Sequence, residues 1–181
     1  RHAKAGERCK LLDEREVDLD AGFLAITDAD RVVGLAGVMG GHDTRVTDST
    51  TKVFLEAAHF APSAIIGRSR KLGMHTDASH RFERGVDPAM PRIALERATE
   101  LVMQIMGGNA GEISEVELSG HLPKPASVLL RRTRLQRVLG IQIDDAKVEK
   151  IFRALGMQVQ SVDQGWQVMP PTRRFDIEIE E

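Results

Sequence analysis

The sequence predicts a mixed α/β (α+β) chain built as two domains. Short apolar runs interrupted by glycine occupy the first third of the 181 residues and are typical of strands. Apolar residues at three-and-four spacing between Ile93 and Met106 indicate a long helix that follows them. Two prolines and a glycine cluster at residues 119–125, and this linker pattern predicts domains at residues 1–120 and 121–181.

Strands are expected first in the larger domain. Residues 11–20 and 23–26 form short alternating runs joined by Asp and Gly, and residues 32–39 form an apolar run that glycine interrupts. A polar turn at residues 46–51 leads into residues 53–58, an apolar run with one carboxylate, Glu56. This last run is predicted to be a buried strand.

Two helices are expected to pack on these strands. Pro62 suits a first helical turn and Gly73 suits a terminator, which predicts a helix over residues 62–72. The longer helix is predicted to begin at Asp87-Pro88 and to stop at Gly107-Gly108. Residues 112–118 are then expected to form a closing strand, which would complete a mixed sheet.

The smaller domain has its own pattern of elements. A strand at residues 126–131 precedes helices at 133–139 and 144–155 and two strands at 157–162 and 166–169. One strand, two helices and a hairpin predict a small winged-helix-like α/β module.

A polar stretch at residues 67–88 stands apart from these elements. Burying its imidazoles, carboxylates and guanidinium groups without partners would be costly, so we expect a surface loop or the lining of a polar cleft. Neighbouring residues of one loop rarely have the geometry of a catalytic triad, and two histidines lack a third zinc ligand. Neither a triad nor a metal site is therefore predicted here.

Composition restricts the function classes. A formal net charge of −2 excludes a global electrostatic footprint for nucleic acid, so RNA contact would need a local patch. The single cysteine, Cys9, cannot form an internal disulfide, and no run approaches a membrane span, so we expect a soluble, cytoplasmic chain. The chain does not begin with Met, which suggests a piece of a longer protein.

Three strings carry a family resemblance: GLAGVMGG at residues 34–41, FLEAAHF at 54–60 and MHTDASHRFERGVDP at 74–88. Together they resemble the β chain of bacterial phenylalanyl-tRNA synthetase, and the similarity continues over the whole chain. The resemblance implies an N-terminally truncated tRNA-editing domain, followed by the start of the next, winged-helix-like domain.

Four pocket residues follow from the resemblance. Glu56 would accept a hydrogen bond from the phenolic hydroxyl of a tyrosyl group, and Gly40 would leave room for the ring. Thr76 and Ala78 would form the opposite wall. From the residues alone, Glu56 reads rather as an exposed edge-strand carboxylate, and the resemblance reverses that interpretation.

Other charged residues leave alternatives open. Arg81 and Arg84 are possible tRNA contacts, but ion pairs with Glu83 or Asp87 are an equal alternative. The smaller domain has a basic cluster that would suit nucleic acid by fold analogy alone, a weak warrant, and the resemblance implies a chiefly architectural role. Its members are Arg131, Arg132, Arg134 and Arg137.

The activity implied is hydrolytic editing of Tyr-tRNA(Phe), with release of tyrosine, inside an enzyme that ligates phenylalanine to tRNA(Phe). An oriented water rather than a catalytic side chain would attack the ester. ATP and magnesium would serve the partner α subunit of an α2β2 assembly, and this chain would need no cofactor. The family's pocket also uses a histidine from a segment upstream of residue 1, so the alternative is a non-catalytic module for tRNA positioning and subunit interaction.

Overall fold

A computed structural model describes residues 1–180, which divide into two units. Unit 1 consists of Arg1–Val86 and Met90–Glu112. Unit 2 consists of residues 113–180 together with Asp87–Ala89. The predicted α/β class is confirmed, with the described strands in small antiparallel sheets rather than in one mixed sheet.

Five short strands form two sheets in unit 1. Strands β1 (Arg8–Lys10) and β2 (Glu16–Asp18) pair with each other, and a second sheet has the order β3-β4-β5. Its strands are β3 (Ala25–Thr27), β4 (Val32–Leu35) and β5 (Met39–Gly40). The single strand predicted at residues 32–39 is wrong because the chain reverses at Gly37, whose φ is +65°, and returns as β5.

Three helices of unit 1 lie between residues 62 and 84. They are α1 (Pro62–Ile65), α2 (Arg68–Lys71) and α3 (Asp77–Arg84). The continuous helix predicted over residues 62–72 is wrong, because Gly67 adopts a left-handed conformation with φ +76° and interrupts it. Of the two alternatives predicted for residues 67–88, a surface loop is wrong for residues 77–84, since α3 forms there.

The long helix α4 (Met90–Met106) is confirmed in place, and Gly107 with φ +73° follows its last residue. It begins later than the predicted Asp87 start. One side of α4 is partly covered, but the helix has no buried residue, and several of its large apolar side chains face solvent. These exposed side chains are Met90, Ile93, Leu101, Met103, Ile105 and Met106.

Two predicted strands of the larger domain are absent from the described residues. Residues 53–58 have no regular structure, and the side chain of Phe54 is 93% exposed. Residues 112–118 are likewise irregular. A strand requires a hydrogen-bonded neighbour, and none of residues 1–180 supplies one for either segment.

The core of unit 1 joins its sheets to its helices. Leu11, Phe23 and Ile65 are among the largest fully buried side chains, and Phe60, Leu72 and Phe82 pack against this core from its edge. The short strands and the helices α1 and α3 therefore share one hydrophobic cluster.

Unit 2 contains the predicted order of one strand, two helices and a hairpin. It consists of β6 (Val128–Arg131), α5 (Arg132–Leu139), α6 (Asp145–Ala154), β7 (Gln158–Val162) and β8 (Gly165–Met169). The sheet order is β6-β8-β7, and Trp166 is the largest buried side chain of the core. Among residues 1–180, no helix combines the length and apolar character that a membrane crossing requires.

Candidate functional site

Thr76 connects the first turn of α3 to the glycine turn before β5. Its Oγ1 donates a hydrogen bond to the carbonyl oxygen of Val38 at 2.8 Å and accepts one from the N–H of Ser79 at 3.0 Å. The N–H of Thr76 donates in turn to Oγ of buried Ser79, which completes a capping box. The hydroxyl proton of Thr76 is therefore already engaged, and only a lone pair remains for a ligand or water.

Close packing holds the same turn against α1 and α3. A Cβ atom added to Gly37 would lie 3.1 Å from Cδ1 of Ile65 and 3.2 Å from Cβ of Phe82. The Phe82 ring also packs on Phe60, with 5.1 Å between the ring centroids. The turn and the two helices therefore fit together without space for another methyl group.

Gly40 and Ala78 lie on the two segments that Thr76 and Val38 join. Gly40 is exposed in β5, and a Cβ atom there would make an ordinary contact with Cδ1 of Leu12 at 3.4 Å. Ala78 is half-buried in the first turn of α3. The structure thus brings together the segments that carry Gly40, Thr76 and Ala78.

Glu56 is not joined to these three residues by any hydrogen bond or ion pair among residues 1–180. It lies in the irregular segment and is exposed as a residue. Surrounding atoms nevertheless remove part of the water around its carboxyl group, and this desolvation raises the pKa of Glu56. Its carboxylate has no hydrogen-bonding or ion-pair partner in the described part of the chain.

Arg81 and Arg84 are exposed on α3 and do not form the ion pairs considered from the sequence. Glu83 instead accepts a hydrogen bond from the N–H of Gly67 at 3.1 Å, and Asp87 accepts one from the N–H of Ala89. The guanidinium group of Arg84 donates to the carbonyl oxygen of His80 and contacts its Nδ1, both at 3.0 Å.

The sequence interpretation missed the two buried serines. Ser79 completes the capping box, and Ser69 donates through Oγ to the carbonyl oxygen of Met74 at 2.6 Å, closing the turn that leads to α3. A threonine three residues before a serine was the available signal, although a capping box more often uses Glu or Gln at that second position.

The glycine-rich segment at residues 34–41 does not form a phosphate loop. Gly34 and Gly41 belong to a strand–turn–strand hairpin, whereas a phosphate loop leads from a strand into a helix. Residues 1–180 contain no group of three or more His, Cys, Asp or Glu side chains that could hold a metal ion.

Two arginines of the basic cluster in unit 2 have acidic partners. Arg131 pairs with Glu180, and Arg132 pairs with Asp145 at 2.7 Å while its guanidinium group stacks over the Trp166 ring at 4.8 Å. These contacts engage two of the four guanidinium groups of the cluster within the module.

Comparison with known families gives two adjoining matches. The B3/4 domain model matches residues 1–107, more than half of the chain. The chain belongs to the B3/4 domain family. After the B3/4 match, the model of the tRNA synthetase B5 domain matches residues 128–181.

Curated relatives of this B3/4 chain are named phenylalanine–tRNA ligase beta subunit. The relative from Xanthomonas euvesicatoria pv. vesicatoria (strain 85-10) is 62% identical over all 181 residues, which are 100% of this chain and 23% of the relative. Relatives from Xanthomonas axonopodis pv. citri (strain 306) and Xylella fastidiosa (strain Temecula1) are 61% and 60% identical with the same coverage. The resemblance inferred from the sequence is confirmed, and the chain spans less than a quarter of these relatives' length.

Proposed function

We propose that this chain is part of the editing module of phenylalanyl-tRNA synthetase and helps to hydrolyse the ester of Tyr-tRNA(Phe). The hydrogen bond between Thr76 and Val38 carries the proposal, because it holds the Gly40 turn beside the first turn of α3. Two small residues, Gly40 and Ala78, lie on these two segments. We assign to them the walls of a pocket for the side chain of the amino acid.

Glu56 supplies the chemical discrimination in this proposal. Its carboxylate has no partner among residues 1–180, so it is available to accept a hydrogen bond from a phenolic hydroxyl. Phenylalanine lacks that hydroxyl and would leave the desolvated carboxylate unsatisfied. Sites that read a hydroxyl in this way discriminate by about 10⁴ or more. Residues 51–60 have no regular structure, and the proposal requires this segment to bring Glu56 to the pocket.

Hydrolysis would depend on positioning rather than on a nucleophilic side chain. The hydroxyl proton of Thr76 is donated to Val38, so Thr76 is poorly suited to attack an ester. Its free lone pair can accept a hydrogen bond from a water molecule and orient it. An oriented water in a partly desolvated pocket gains rate from proximity and electrostatics.

The proposal places the ligation reaction elsewhere in the enzyme. The relatives' name implies a partner α subunit and tRNA(Phe) as substrate, and we assign ATP and Mg²⁺ to the α subunit of an α2β2 assembly in the cytoplasm. The editing product would be free tyrosine.

A second candidate is a non-catalytic module that positions tRNA and contacts other protein. The exposed apolar side chains of α4 favour it, because exposed apolar surface is typical of a region that another protein segment covers. The exposure of Glu56 favours it as well.

An assay of the full-length β chain in its α–β assembly separates the two candidates. Tyr-tRNA(Phe) is incubated with the wild type, Glu56→Ala, Gly40→Trp and the control Asp48→Ala, which removes an exposed carboxylate from the same irregular region. We expect tyrosine release to fall at least tenfold in the first two variants and to persist in the control. Wild-type release that both pocket variants leave unchanged would contradict our assignment.

A further inference from the structure

A basic cluster lies on and beside α3, next to the proposed pocket, and consists of His75, His80, Arg81 and Arg84. We propose that this α3 basic cluster binds a phosphodiester group of an RNA strand and so holds the end of the tRNA at the pocket. The inference rests on the proposed editing function and names the group through which the substrate would be held.

The charges of the cluster are available for a ligand. Neither Arg81 nor Arg84 has a carboxylate within ion-pair distance among residues 1–180, and both are exposed. Glu83 is held by the N–H of Gly67, which lies between α1 and α2. The exposed residues of α3 include one carboxylate, on Asp77 in the first turn, and two guanidinium groups, on Arg81 and Arg84. The local balance is therefore positive, although the chain as a whole is slightly acidic.

The imidazoles add hydrogen-bond donors beside these charges. Because Nη1 of Arg84 can only donate, Nδ1 of His80 at 3.0 Å must act as the acceptor, and the ring proton of the neutral histidine lies on Nε2. The His75 ring lies 5.9 Å from the His80 ring, centroid to centroid. Two imidazoles and a guanidinium group thus lie together, as recognition of a phosphate by several donors requires.

The position of the cluster relative to the pocket is fixed by α3. His80 follows Thr76 by one helical turn, and its N–H donates to the carbonyl oxygen of Thr76 at 3.0 Å. The hydrogen bond from Thr76 to Val38 and the packing of Phe82 against the Gly37 turn both orient α3 relative to that turn. A phosphate bound by the cluster would therefore lie about one turn of helix from the pocket wall.

Kinetics of the complete α–β assembly test the inference. Tyr-tRNA(Phe) hydrolysis is measured over a range of salt concentrations for the wild type, His80→Gln and the double variant Arg81→Gln/Arg84→Gln. Arg70→Gln in α2 is the matched control, since Arg70 is exposed and also lacks an acidic partner among residues 1–180.

We expect the double variant to raise KM about tenfold and to leave kcat within about twofold. The slope of log(kcat/KM) against log[salt] should become shallower by about one to two, since each lost phosphate contact reduces it by roughly one. His80→Gln should raise KM a few-fold, and Arg70→Gln should match the wild type.

Three outcomes of the kinetic experiment would overturn the inference. The first is hydrolysis with unchanged KM and salt slope in the double variant, which would leave the editing function in place. The second is a fall in kcat alone, which would indicate a structural role. The third is an equal effect of Arg70→Gln, which would indicate that any loss of positive charge on this surface weakens binding.

If the wild type does not hydrolyse Tyr-tRNA(Phe), the proposed function fails. Binding of a labelled acceptor-stem RNA hairpin then tests the cluster separately. Unchanged affinity in the double variant would overturn the inference.

Discussion

The hydroxyl of Thr76 lies 2.8 Å from the carbonyl oxygen of Val38 and also caps α3 through the N–H of Ser79. One side chain therefore joins a turn to a helix whose N-cap lies 38 residues later in the chain. Thr76→Val keeps the shape but removes both hydrogen bonds. We expect it to lower the free energy of unfolding by about 1–3 kcal/mol, measured by urea denaturation followed by circular dichroism.

Thr76→Ser is the control for this prediction because it keeps the hydroxyl and loses only a methyl group. It should retain most of the stability. Equal losses in the two variants would show that the methyl group, rather than the hydrogen bonds, accounts for the contribution of Thr76.

Gly37 offers a second prediction, about packing. Gly37→Ala should be destabilised by about 1 kcal/mol from the positive φ and by about 1–3 kcal/mol more from crowding against Ile65 and Phe82. Gly73→Ala is a matched control, since its φ of +63° is nearly the same and no atom lies within 4 Å of the added Cβ. The difference in melting temperature between the variants measures the crowding, and no difference would disprove it.

Glu56 gives a prediction about pH. Desolvation raises the pKa of Glu56 in the folded chain above its unfolded value. Between the two pKa values the folded state binds more protons, so stability falls as the pH rises through this window. Glu56→Gln removes the effect.

The measurement compares the free energies of unfolding of wild type and Glu56→Gln at about pH 4 and about pH 7. We expect the variant to gain stability relative to the wild type at the higher pH. Asp48→Asn controls for the loss of one surface charge, and a gain of the same size in that variant would refute a specific effect of Glu56.

Arg132 provides a prediction for unit 2. Its guanidinium group donates to the carbonyl oxygens of Val162 and Asp163 and stacks over Trp166, the only tryptophan in a chain without tyrosine. Arg132→Ala should lower the urea midpoint of the fluorescence transition, which reports the surroundings of Trp166. Arg137→Ala removes an exposed arginine of the same helix and should leave the midpoint unchanged. Equal midpoints for the two variants would rule out a special role for Arg132.

Local signals in the sequence were sufficient where one segment determines its own structure. Asp144 accepts from the N–H groups of Ala146 and Lys147 and starts α6 as predicted, and Gly107 follows α4 as predicted. The capping residues acted within a few positions of themselves, so their effect could be read without knowledge of the fold.

Segments that depend on distant partners were predicted less well. Residues 53–58 have the composition of a strand, but strand formation requires a neighbour that residues 1–180 do not provide. The break at Gly67 was missed because glycine is also tolerated within helices, at a cost of about 1 kcal/mol.

In the candidate site, too, the sequence was not sufficient for contacts between distant segments. Gly40, Glu56, Thr76 and Ala78 came from the family resemblance, and their roles stay predictions. Only the structure shows that Thr76 bonds to Val38, because no local pattern specifies a hydrogen bond across 38 residues. The lack of a hydrogen bond or ion pair between Glu56 and the other three residues could not be read from the sequence either.

The apolar side chains that α4 exposes to water affect how this chain behaves when concentrated. Ile105 and Met106 are 76% and 80% exposed, and a surface of this kind attracts detergents, fluorescent dyes and further copies of the same chain. Preparations of the chain should therefore sediment as single particles when dilute and associate reversibly as they are concentrated.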